Sequence, residues 1–184
     1  LERAEGRFAL TFDDGPDPDA TPAVLDALGA ARATFFLVGE QVRAYPELAE
    51  EIARRGHRVG LHGFRHVEHD DLEAPAADLS AAMEAVPDTL LFRPPYGRFS
   101  EVSYAACLEC GLRPVYWSGW GCDWEPIPAE RIVDLAIRDL APGAILVLHD
   151  SARYAYRDSA RPTAEALPAI LRAALERGLE PVRL

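Results

Sequence analysis

Two aspartates, Asp13 and Asp14, stand side by side in the run TFDDGPDPD. Carboxylates this close raise one another's pKa unless a cation separates their roles. Further along, His62 and His66 in HGFRH are spaced four apart, so a single helical turn points both the same way. One carboxylate and two imidazoles form a ligand set for a zinc-like ion and leave a position for water. Read alone, the aspartates also suit an Asx-rich turn that caps the next helix, and the histidines a surface pair. The glutamate of the metalloprotease pattern is absent. Arg93 opens RPPYG, where two prolines stiffen a loop, Gly97 permits an unusual turn, and a backbone N–H is held in a fixed direction. Its plainer reading is an arginine paired with a surface carboxylate. His149 follows the apolar run Ala144 to Leu148. His57 and His69 read as solvent or capping histidines.

To act together these groups must be carried to one place, and the hydrophobic pattern supplies the means. Short β-like apolar runs lie at residues 8–12, 33–38, 58–61, 90–92, 113–117, 144–148 and 179–184. Helical patterns separate them. Thr21 and Pro22 read as a cap and a first-turn proline for a helix closed by Gly29. Further helices are predicted over 46–55, 73–86, 100–110, 129–140 and 163–177, the last with a kink at Pro168. Strands alternating with helices give a parallel sheet buried on both faces. Seven β/α units in 184 residues predict a single α/β domain over residues 1–184, an incomplete or distorted (β/α) barrel with about seven parallel strands. In such a fold chemistry sits on the loops after the strands. Asp13, Asp14, His62, Arg93 and His149 each immediately follow a predicted strand, so one rim receives them all.

Composition removes several classes of function. The formal net charge is −11, with 30 Asp plus Glu against 19 basic residues, which repels a phosphate backbone. Nucleic acid is excluded as a partner. Every basic residue is Arg and none is Lys, so lysine chemistry is excluded too. No apolar run approaches the ~20 residues of a membrane-spanning helix. The sequence shows no signal peptide, and a secreted protein already trimmed of one would read the same, which leaves the compartment open. The three cysteines, Cys107, Cys110 and Cys122, are an odd count without the second pair a four-thiolate zinc site needs, and read as small buried hydrophobes.

Five motifs in order resemble the polysaccharide deacetylase family, the carbohydrate esterase family 4 group with the NodB-homology domain. TFDDGP is similar to its first motif, HGFRH to its second, RPPYG to its third, Asp123-Trp124 to its fourth, and Val147-Leu148-His149-Asp150 to its fifth. The resemblance covers nearly the whole chain. It implies a metal-dependent hydrolase that removes an N- or O-acetyl group from a carbohydrate: a chitin-, peptidoglycan- or xylan-like glycan, or a smaller amino-sugar conjugate. It implies one divalent ion, zinc with cobalt as the alternative, held by Asp14, His62 and His66. Asp13 then takes a proton from water, Arg93 orients Asp13, the backbone N–H of Tyr96 meets the oxyanion, and His149 protonates the leaving group with Asp123 as its partner.

Two positions depart from the family pattern. Gly63 stands where Ser or Thr is usual, which removes a side chain that would brace the ligand shell. Val147 replaces a leucine, which trims the pocket for the acetyl methyl. Trp124, Tyr96 and Val147 are expected to line the substrate site, while Trp117 and Trp120 read as core. The polar loop 151–162 carries Tyr154 and Tyr156 and is expected to form a lid or substrate wall. Its Arg153, Arg157 and Arg161, spaced four apart, form a stripe suited to an anionic substrate. Two rivals stand beside the deacetylase. A carbohydrate-binding domain without catalysis would lack a base or a ligand, and a metal-free amidohydrolase of small cyclic amides would lack the metal set.

Overall fold

The computed structural model describes residues 5–68 and 72–184. Among these, eight strands form one sheet: β1 (Arg7–Asp13), β2 (Thr34–Leu37), β3 (Arg58–Leu61), β4 (Leu91–Phe92), β5 (Arg113–Pro114), β6 (Gly119–Trp120), β7 (Ile145–His149) and β8 (Glu180–Val182). Seven follow the order β5-β4-β3-β2-β1-β7-β6, every pairing parallel, and β8 pairs with β1. Ala9 pairs with both Ile145 and Val182, so β7 and β8 flank β1 on opposite edges. β8 therefore shares an edge of β1 with β2. No pairing joins β5 to β6 among the described residues, which leaves the barrel incomplete.

The central strands read as continuous apolar runs because both of their faces are covered. Phe8 to Phe12 in β1 and all of β2 are buried. Parallel neighbours need a crossover, and helices supply most of them: α1 (Thr21–Leu28), α2 (Gly39–Ala44), α3 (Pro46–Arg54), α4 (Pro75–Ala85), α5 (Glu101–Glu109), α6 (Ala129–Arg138) and α7 (Arg161–Glu176). Each buries one stripe, as with Val24, Leu25 and Leu28 of α1 or Ile132, Leu135 and Ala136 of α6. Fully buried Phe8, Phe12, Phe35, Leu37, Leu61 and Phe92 belong to one core that these stripes complete. No described helix is long and apolar enough to cross a membrane.

Several elements differ from the sequence reading. α2 is missed because six residues opening on Gly39 give too short a period to see. β6 is missed because two residues have no period at all. The segment expected to be strand to Trp117 pairs only at Arg113 and Pro114. Thr21 is the first residue of α1 rather than its cap, and its hydroxyl instead donates to Asp150 Oδ2 at 2.6 Å. α7 begins at Arg161 and continues through Pro168.

The pairing register delivers the rim. Asp13 at the end of β1 lies level with His149 at the end of β7, and Leu61 lies level with Phe92. The next residues, Asp14, His62 and Arg93, therefore emerge at the same end of the sheet.

Candidate active site

A cavity of about 400 Å3 opens at this end, lined by Asp13, Asp14, His62, His66 and His149 together with an aromatic wall. Asp14 has φ +81°, a left-handed backbone uncommon for a residue other than glycine. Its Oδ1 lies 3.4 Å from His62 Nε2 and 3.1 Å from His66 Nε2. One ligand atom from each of these residues fits within 4.8 Å of the others.

Hydrogen bonding fixes what those atoms offer. His62 Nδ1 lies 2.8 Å from the carbonyl of Arg93. A carbonyl only accepts, so Nδ1 carries the proton, and in the neutral ring the Nε2 lone pair faces Asp14. Asp14 Oδ1 is buried and makes no hydrogen bond. Burial raises the Asp14 pKa, but imidazole N–H groups of His62 and His66 turned toward it, with the positive charge of His149 behind them, outweigh burial. They hold the group below the ordinary carboxylate range, a place that a bound cation would take over once the Nε2 atoms present lone pairs instead. An ionised oxygen and nitrogen lone pairs converging on one point are what a divalent cation needs. The residues fit such an ion. His66 is held differently: its ring stacks on Tyr154 at 4.1 Å and meets the edge of Tyr96 at 4.6 Å, while its Nδ1 is buried without a partner.

Asp13 faces a different partner. Arg93, fully buried, donates from Nη1 to Asp13 Oδ1 at 2.7 Å and to Thr11 Oγ1 at 2.8 Å, and from Nε to the carbonyl of Val115 at 3.2 Å. The rings of Phe36 and Trp117 lie 4.2 Å and 5.5 Å from its guanidinium carbon. Burial lowers the Arg93 pKa and Asp13 opposes that shift. A guanidinium stays charged under such pressure, so Asp13 keeps a cation beside it.

Across the cavity, His149 Nδ1 lies 2.8 Å from Asp123 Oδ1, and the His149 backbone N–H donates to Asp123 Oδ2 at 2.9 Å. Burial pushes His149 down, but Asp123 outweighs burial and Asp14 and Asp13 add to it, so the imidazole is raised to about 9. Trp124 meets the ring of His149 edge-on at 5.7 Å. Beneath the rim, Asp150 is buried against Gly15, where an added Cβ would lie 2.2 Å from its Oδ2, and burial pushes its carboxyl up to about 7.

Asp13, Asp14, His62, His66 and His149 therefore meet around one cavity, while Arg93 and Asp123 are buried behind its lining and reach it through Asp13 and His149. Tyr96 (φ +57°), Trp124, Val147, Tyr154 and Tyr156 line it as well. Some expectations fail. Trp117 is not core but lines the cavity, because the strand expected to bury it stops at Pro114, and Trp120, on the edge strand β6, is 39% exposed. His57 is buried, accepts the Ala33 N–H through Nδ1 at 3.2 Å, and is lowered to about 4 by burial with help from Arg32 and Arg55. The arginine stripe does not form, because the loop is irregular and turns Arg157 inward while Arg153 and Arg161 stay exposed. Cys107 is buried as expected, whereas Cys110 and Cys122 are partly exposed. His69 lies outside the described residues. The sequence reading also passed over Thr11, Thr163 and the inward role of Arg157. Thr11 had a signal: it sits two residues before Asp13 on β1 and so shares its face.

Comparison with known proteins decides the family. A polysaccharide deacetylase family model matches residues 2–115. The chain belongs to the polysaccharide deacetylase family. A peptidoglycan N-acetylglucosamine deacetylase of Bacillus cereus is 37% identical over 154 residues, 78% of this chain and 72% of that protein. A chitooligosaccharide deacetylase of a Bradyrhizobium species is 39% identical over 153 residues, covering 77% and 69%. Among solved structures, a peptidoglycan N-acetylglucosamine deacetylase superposes with a TM-score of 0.90 at 28% identity, over 97% of this chain and 86% of that one. The family 4 carbohydrate esterase of Streptomyces lividans, in complex with acetate, gives 0.86 at 28% identity over 96% and 91%.

Proposed function

We propose that this polysaccharide deacetylase hydrolyses the acetamide of N-acetylglucosamine units in a peptidoglycan- or chitin-like glycan. The observation that carries the reading is one cavity holding three differently prepared groups. They are an Asp-His-His set with an unpartnered carboxylate oxygen, an aspartate on a buried arginine, and a histidine on a buried aspartate. The names of its relatives supply the substrate class.

Asp14, His62 and His66 would hold the divalent ion, zinc by preference of the donor set with cobalt as a substitute. When bound, that ion supplies a lowered water pKa and polarisation of the acetyl carbonyl. Asp13 takes the proton from the attacking water. Its ion pair with Arg93 fixes its direction, and the carbonyl of Arg93 also holds His62, so one residue sets both base and ligand. The Tyr96 N–H, on a strained left-handed turn, meets the developing oxyanion. On the opposite wall, His149 gives its proton to the departing amine, and Asp123 keeps it cationic until then. Trp124, Val147, Tyr154 and Tyr156 wall the sugar and the methyl group.

The test is acetate release from peptidoglycan, chitooligosaccharides and acetylxylan, with the native protein beside Asp13→Asn. Release from the N-acetyl glycans that is lost in the variant is the expected result. Release from acetylxylan alone would make the protein an esterase, and no release alongside saccharide binding would make it a binding domain.

A further inference from the structure

We infer that Arg157 is a positioning residue for the acid, joining the Asp123–His149 pair to the loop that walls the cavity. The inference rests on the reading of His149 as the proton donor. Arg157 is 7% exposed, inside the protein rather than on the loop's surface. Its Nη1 donates to Thr163 Oγ1 at 2.6 Å, and its Nη2 reaches the carbonyls of His149 at 3.2 Å and Ser151 at 3.3 Å and Asp123 Oδ2 at 3.5 Å. Thr163 Oγ1 in turn donates to Asp123 Oδ2 at 2.6 Å.

The direction of these bonds is fixed by chemistry. A guanidinium only donates, so the single hydroxyl proton of Thr163 is committed to Asp123. Asp123 Oδ2 then receives Thr163, the His149 backbone N–H and the edge of Arg157, which leaves Oδ1 to the His149 ring. The orientation of the imidazole is thereby set by a residue that does not touch it.

The same guanidinium also anchors the wall. It grips the chain at His149 and Ser151, and the segment between Ser151 and Arg157 carries Tyr154, Ala155 and Tyr156 into the cavity. Tyr154 stacks on His66, and the Tyr156 N–H donates to the carbonyl of Trp124 at 2.9 Å. The charges facing His149 are Asp13 at the end of β1 and Asp14 just after it, Asp123 from the segment after β6, and Arg157 from the loop after β7. Arg157 faces Asp123 from the side away from the ring. Lysine would carry the charge, but its single ammonium replaces a planar fork that serves four acceptors, and so would not restore the geometry.

A merely structural arginine would cost activity whatever stands at position 123. One acting through Asp123 would not, and a double-mutant cycle separates the two. Arg157→Met should lower kcat by about 10–100-fold in the native background, the usual worth of a residue that orients another. In an Asp123→Asn background the further loss should be under about 3-fold. Equal losses in both backgrounds, or none in either, overturn the inference. A second reading needs no acetylated substrate: the His149 Nδ1 proton, followed by NMR, should move in Arg157→Met and in Thr163→Val. An unmoved resonance in both variants also overturns it. If Arg157→Met does not fold, Arg157→Lys and Thr163→Val carry the same cycle. If the resonance moves while no substrate yields acetate, the deacetylase reading fails and the positioning role stands.

Discussion

On the wall built by β1 and β3, Asp14 Oδ1 and His66 Nδ1 are buried without a hydrogen-bond partner. On the wall built around β6 and β7, Asp123 is equally buried yet takes donors from the His149 ring and backbone, Thr163 and Arg157. Buried polar atoms are normally satisfied, and each exception in a folded protein calls for a reason. Both carboxylate oxygens of Asp123 are satisfied by protein atoms alone, and among the acid wall's Asp123, His149 and Arg157 the unpartnered buried atom is a donor, Arg157 Nε, rather than an acceptor. On the other wall, the donors that would finish Asp14 are replaced by two imidazoles facing it. A carboxylate and imidazole lone pairs directed at one point would repel unless a cation lay between them, and this contrast is what supports the proposed ligand set on one wall and the proposed proton donor on the other.

The contrast breaks most sharply at the ligands. Asp14→Asn or His66→Ala should release the ion and take acetate release to background, with metal analysis after gel filtration and the acetate assay reading the two losses together. Asp13→Asn should keep the ion and lower turnover by about 10²–10⁴-fold, the worth of a general base. Loss of the ion in that variant would place Asp13 among the ligands instead.

A smaller effect is expected at the acid wall, and its sign follows from charge. Asp123 holds the His149 imidazolium, raised to about 9, so the acid form is available below that pH and is lost as pH rises through it. Asp123→Asn removes that support, the imidazolium loses its proton sooner, and the basic limb of the pH–rate profile moves to lower pH. A limb that stays in place would mean another group holds His149. The smallest effect is on the departure at Gly63. Its φ is +80°, so Gly63→Ser should cost roughly 1–2 kcal/mol of stability, measured by denaturant midpoint, because an L-residue is strained there. The backbone thus favours the glycine, whatever a serine would add to the ligand shell.

Strand ends were the legible part of this protein. Asp13, Asp14, His62, Arg93 and His149 were placed on one rim because each follows an apolar run, and the parallel register makes adjacent strand ends coincide. Trp117 was misplaced for the converse reason: aromatic content resembled a buried strand, but pairing stops at Pro114 and depends on partners that no local pattern shows, while Trp120 lies on β6, the end strand of the described sheet. Arg157 was read as one of a stripe of three charges suited to an anionic substrate, because the three are spaced four apart. The loop is irregular, and its inward turn depends on Asp123, Ser151 and Thr163, two of which lie outside the loop's own sequence pattern. His57 similarly looked like a solvent histidine until the strand-start contact with Ala33 accounted for it.

The central claim is that Asp14, His62 and His66 hold one divalent ion on which deacetylation depends while Asp13 stays off it. Chelator-stripped native protein, Asp13→Asn and Asp14→Asn should be titrated with zinc by calorimetry and assayed for acetate release at each point. The account predicts one equivalent bound by the native protein with activity restored, one equivalent bound by Asp13→Asn without activity, and no tight binding by Asp14→Asn. Full activity in the stripped protein, or one tight equivalent in Asp14→Asn, would contradict it.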